Sequence, residues 1–124
     1  MARILVVDDD EILRWMIIVI LQRQGHDCTP AENVAEACRH LLKDTFELTI
    51  SDFNMPSQTG LDLLKYVSSN FPSTSFILIS AATDSHLGEK ALELGATAYV
   101  AKPFILEEFL NKVENALQGR SSIH

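Results

Sequence analysis

Five short apolar runs alternate along the chain with five segments in which apolar residues recur at helical spacing. "RILVV" is an apolar run bounded by charge and reads as a buried strand. From Asp10 to Gln24 the period is helical, and Gly25 supplies the stop. "HDCTPA" is a weaker strand with Pro30 near its end, and Asn33 caps a helix running to about Lys43. "FELTISD" is a third strand, followed by a loop, "FNMPSQTG", and a helix, "LDLLKYVSSN". "TSFILIS" is the most β-like run. "DSHLGEKALELG" predicts a helix weakened by Gly88 inside it. "TAYVA" is the fifth strand and "ILEEFLNKVENALQ" the last helix.

Strict β/α alternation at this spacing implies a parallel sheet covered by helices on both faces. The predicted class is α/β, a flavodoxin-like doubly wound sheet of five parallel strands in order 2-1-3-4-5 with five helices. Strand two is then an edge, where Pro30 is tolerated. One domain over residues 1–118 is expected, with residues 119–124 as a tail or the start of a linker. The first helix is apolar nearly all round. Leu13, Met16, Ile17, Ile20 and Leu21 form a stripe at core spacing. Trp15, Ile18 and Val19 form a second stripe. Packing against the last helix accounts for Val19, and for Trp15 and Ile18 the residues leave open either the same packing or the docking of a partner.

Composition narrows the function. Hydrophobic residues make up 47 % of 124, so disorder is not expected. Ten basic against seventeen acidic residues give a net charge of −7, and no Lys/Arg cluster appears, which argues against direct nucleic-acid binding. Cys28 and Cys38 lack metal-ligand spacing and read as reduced thiols of a cytoplasmic protein. The longest apolar run, Trp15 to Leu21, is too short to span a bilayer, and "MARILVV" meets Asp8 before a leader could form.

The polar residues gather at strand ends. Asp8 and Asp9 end the first strand, Asp52 the third and Ser80 the fourth, while Lys102 follows the fifth. Order 2-1-3-4-5 puts the switch point between strands one and three, so these groups converge there. Asp10 and Glu11 are explained by capping the first helix; Asp8 and Asp9 are not. Carboxylates so close repel, and the repulsion is relieved either by a proton held at raised pKa or by a divalent cation. Carboxylate ligands of this kind suit Mg²⁺. A carboxylate can also attack phosphorus, helped by a metal, a lysine and a hydroxyl.

The stretches "VVDDD" (6–10), "DFNMP" (52–56), Gly60, "ILISA" (77–81) and "AYVAKPF" (98–104) together resemble the receiver domain of bacterial two-component response regulators, over about residues 3 to 118. The resemblance implies that Asp52 is the phosphoacceptor, loaded from a histidine kinase or phosphotransfer protein. Asp8, Asp9, Asp52 and the backbone carbonyl of Asn54 would hold Mg²⁺, and Lys102 would pair with the phosphoryl group. Ser80 would be the switch hydroxyl and Tyr99 the aromatic that moves inward behind it. Lys102–Pro103 would be cis. Trp15 and Ile18 would meet the kinase, and phosphorylation would bring homodimerisation. The output domain or target is not specified. Ser80 departs from the commoner threonine, and Ala82 cannot hydrogen-bond an attacking water. The rival is a haloacid-dehalogenase-type phosphatase, whose Asp-x-Asp could be Asp8 and Asp10. It would need a late acidic metal motif, but Glu107, Glu108 and Glu114 all fall in one amphipathic helix.

Overall fold

The computed structural model describes residues 2–81 and 86–121. Strands β1 (Arg3–Val7), β2 (Asp27–Ala31), β3 (Leu48–Asp52), β4 (Ser75–Ala81) and β5 (Ala98–Lys102) form one parallel sheet in the order β2-β1-β3-β4-β5. Between them run α1 (Glu11–Arg23), α2 (Val34–Lys43), α3 (Gly60–Asn70) and α4 (Leu87–Glu93), and α5 (Leu106–Ser121) follows β5. Order, strand count and edge placement of Pro30 match the pattern analysis. Helix α5 extends beyond position 118, where the apolar periodicity was expected to end. Helix α4 is only seven residues long, against the twelve of the sequence pattern, and Ala82 lies outside the described residues.

Side chains alternate across the sheet and so feed two cores. On one face Leu5, Val7, Phe76 and Leu78 pack under α2, α3 and α4; on the other Ile4, Val6, Ile50, Ile77 and Ile79 pack under α1 and α5. Helix starts are capped as their residues dictate. Asp10 accepts from Ile12 and Leu13 amides, Asn33 accepts from Glu36, and Thr59 and Asp62 form a reciprocal capping box. Gly60 opens α3 directly against the end of β3. A Cβ there would lie 2.5 Å from the Asp52 carbonyl oxygen and 2.7 Å from Leu78 Cδ1, so only glycine permits this approach.

The stripes on α1 need correction. Ile17 and Leu21 are buried as expected, but Met16, assigned to the core, is 47 % exposed. Ile18 is half-buried and packs partly on the α1/α5 core, while Val19 lines a groove of about 690 Å³ beside Cys28 and Pro30 of β2 rather than resting on α5. Trp15, at 64 %, and Ile12, at 72 %, stand open to solvent. With apolar residues on nearly every side, periodicity alone does not say which of them meets the sheet.

Gly88 has a definite reason to sit inside a helix. Tyr99 of β5 lies against it, and a Cβ on Gly88 would be 2.9 Å from Tyr99 Cδ2. By intrinsic propensity Gly88→Ala would stabilise α4 by up to about 1 kcal/mol. Against the Tyr99 ring it should instead lower the melting temperature, and in a Tyr99→Ala background it should raise it. Melting curves of the two single variants and the double variant measure this; the same shift in both backgrounds would show that the ring does not set the requirement.

Candidate functional site at the carboxyl edge of the sheet

Parallel register brings the strand ends level. Val7 pairs with Ser51, Asp52 with Ile79, Ser80 with Ala101 and Ala81 with Lys102. Asp8, Asp52, Ser80 and Lys102 therefore emerge along one edge. Asp8, Asp9 and Asp52 each offer a carboxylate oxygen within 4.8 Å of the others. Asp8 and Asp52 are buried, at 2 % and 5 % exposure, whereas Asp9 is exposed. Lys102 Nζ lies 2.8 Å from Asp52 Oδ1, a charge-assisted contact with a largely buried carboxylate. Lys102–Pro103 is cis, as the resemblance implied.

Asp8 carries the strain of this assembly. Its carboxyl is pushed up from 3.8 to about 6, chiefly by burial; within that balance the Asp10 N–H, 2.9 Å from Oδ1, pulls it down, the negative charge of Asp52 raises it, Lys102 lowers it and Asp9 raises it. The raised value expected at this cluster thus falls on Asp8, chiefly because that carboxyl is buried and only secondarily because of its charged neighbours. The donor set is all oxygen, part buried and part open, which suits a small hard cation that keeps several waters.

The remaining expected residues take up different positions. Ser80 is buried at the end of β4, with its hydroxyl donating to the Ala81 carbonyl at 3.3 Å. Asn54 stands exposed in the loop two residues beyond Asp52. The Tyr99 side chain packs partly against the α3/α4 core, and its hydroxyl is buried without a hydrogen-bond partner among the described residues, so this tyrosine lies inward. Trp15 lies on α1, where it lines the groove beside β2 rather than the acidic cluster. Sequence reasoning passed over Arg14, whose Nη1 donates to the Asp8 carbonyl oxygen at 2.6 Å. The available signal was a cation in the first turn of a helix, where the dipole disfavours it.

These features define a class: doubly wound α/β domains whose strand ends present crowded carboxylates and a paired lysine at the switch point. Comparison with known proteins gives the family. The model of the response regulator receiver domain matches residues 4–114, and the chain belongs to that family, the phosphorylated signalling domains of two-component systems. The chain is 37 % identical over 112 residues to the DNA-binding transcriptional regulator NtrC of Escherichia coli K12, covering 90 % of this chain but 24 % of that protein. It thus spans about a quarter of that relative's length. The fold matches the beryllofluoride-activated NtrC4 receiver domain dimer with a TM-score of 0.91 at 28 % identity, covering 97 % of this chain and 99 % of that one. It also matches the response regulator TrrA of Thermotoga maritima in complex with Mg²⁺–BeF, with a TM-score of 0.85 at 31 % identity, covering 94 % and 100 %.

The raised Asp8 value has a signed consequence. A carboxyl whose folded pKa exceeds its unfolded one weakens the fold once pH rises through the folded value. Metal-free wild type should therefore lose stability relative to Asp8→Asn as pH climbs from about 4 to above about 6, by on the order of 3 kcal/mol for a shift of this size. Urea unfolding of both proteins in EDTA across that range checks it; a constant difference would mean that Asp8 titrates normally.

Proposed function

We propose that Asp52 is the phosphoacceptor of this receiver and that Asp8, Asp9, Asp52 and the Asn54 carbonyl hold Mg²⁺ beside it. The observation that carries this reading is the buried Asp52 carboxylate, held by Lys102 at 2.8 Å with two further carboxylates within 4.8 Å. A carboxylate so placed attacks the phosphorus of a phosphohistidine on a histidine kinase or phosphotransfer protein. The new O–P bond gives an acyl phosphate, the P–N bond breaks, and the imidazole leaves with its proton. Bound Mg²⁺ supplies charge neutralisation for the phosphoryl oxygens. Lys102 exchanges part of its contact with Asp52 for one with the phosphoryl group. Ser80, one register position beyond the partner of Asp52, supplies a hydroxyl donor. Tyr99, packed inward against Gly88, carries the change to the α4–β5 surface.

On this reading the chain assists its own phosphorylation and is a signalling domain rather than an enzyme acting on a free substrate. Trp15 and Ile18 face the kinase, which places the domain in the cytoplasm; among the described residues no helix is long and apolar enough to cross a membrane. The phosphorylated domain controls an output domain or target protein, with homodimerisation as one route.

Incubation with acetyl phosphate and Mg²⁺ should add one phosphoryl group, seen by intact-mass spectrometry. Asp52→Asn should remove the adduct. An adduct that survives in Asp52→Asn but disappears in Asp8→Asn would contradict this assignment and favour the phosphatase-like use of Asp8.

A further inference from the structure

Arg14 occupies the first turn of α1, where a cation opposes the positive end of the helix dipole. Its side chain runs back toward the start of the helix, as long helical side chains do. There it donates from Nη1 to the carbonyl oxygen of Asp8 at 2.6 Å, in a partly buried position. Two further ties hold Asp8. Its N–H donates to the Ala31 carbonyl at 3.0 Å, and its Oδ1 accepts from the Asp10 N–H at 2.9 Å. The first ties the turn to β2 and the second is internal to it. The Arg14 contact is the tie made to Asp8 by another residue's side chain, and it links the turn to the body of α1.

We propose that Arg14 is a positioning residue for the cation site: by holding the Asp8 carbonyl it orients the turn between β1 and α1 so that Asp8 and Asp9 face Asp52. This rests on the Mg²⁺ reading above. Groups that hold a ligand-bearing segment commonly set metal affinity although they never touch the metal. The alternative role, simple neutralisation of the acidic cluster, predicts the opposite sign. On charge alone, deleting the cation that contacts the Asp8 backbone lowers the positive potential that opposes a second cation nearby, and so leaves Mg²⁺ binding unchanged or tighter. Positioning predicts that the same deletion weakens it.

The test is Mg²⁺ titration followed by calorimetry and by melting temperature, for wild type, Arg14→Met and Arg14→Lys, with Asp9→Asn as the reference for a lost ligand. Circular dichroism in EDTA reports folding. Arg14→Met should bind Mg²⁺ about tenfold more weakly. Arg14→Lys, which keeps the charge but not the planar fork, should fall between it and wild type. Unchanged or tighter binding in Arg14→Met overturns the proposal. If that variant does not fold, Arg14→Lys decides: weaker binding supports positioning, and unchanged or tighter binding overturns it. Wild type that shows no Mg²⁺ binding overturns the cation reading itself, and this proposal with it.

Discussion

The mutual repulsion of three carboxylates at one sheet edge is the constraint on which the site depends. Two of them, Asp8 and Asp52, are nearly fully buried, and the cluster brings their oxygens within 4.8 Å. At that separation and an effective dielectric of about 20, each ionised pair repels by roughly 3 kcal/mol before relaxation and salt screening. The fold itself meets this partly through Lys102 on Asp52, and partly because burial, with the charges of Asp52 and Asp9 adding to it, pushes the Asp8 carboxyl up to about 6. On the proposed reading, a divalent cation would displace the Asp8 proton, and an incoming phosphoryl group would compete for the lysine.

The fold holds this arrangement through backbone geometry more than through side-chain contacts. Parallel register levels the ends of β1, β3, β4 and β5, so residues distant in sequence meet without a dedicated loop. Gly60 lets α3 close directly on the carbonyl of Asp52, and Gly88 lets Tyr99 lie inward beneath α4. At both positions a missing side chain brings another element close, one at the end of β3 and one between α4 and β5. The buried Tyr99 hydroxyl lacks a hydrogen-bond partner among the described residues.

Much of this was legible in the sequence, for identifiable reasons. Apolar runs bounded by turn residues located all five strands, and Asn33 marked its helix start because its side chain bonds the Glu36 amide. The convergence of Asp8, Asp52 and Lys102 followed from strand order. Other features depend on the third dimension. Asp8 and Asp9 are identical letters, yet one is buried and the other exposed, because the chain turns between them. Met16 fits the core period but lies too far round α1 to reach the sheet. Arg14 acts on a backbone carbonyl six residues earlier, which no residue pattern encodes. Gly88 looks like a defect in α4 until the Tyr99 ring is placed against it.

We propose that the acidic run after β1 is a cation site rather than a set of capping or surface charges. Asp9 isolates it, because Asp9 is exposed and caps no helix, while Asp10 caps α1. The direct measurement is the melting temperature of wild type and Asp9→Asn, each in EDTA and in Mg²⁺ at matched ionic strength. At a cation site Asp9→Asn should melt higher than wild type in EDTA, since repulsion falls, and should gain nothing from Mg²⁺, whereas wild type should gain a few degrees. An Asp9→Asn protein that melts lower in EDTA and still gains from Mg²⁺ would contradict it.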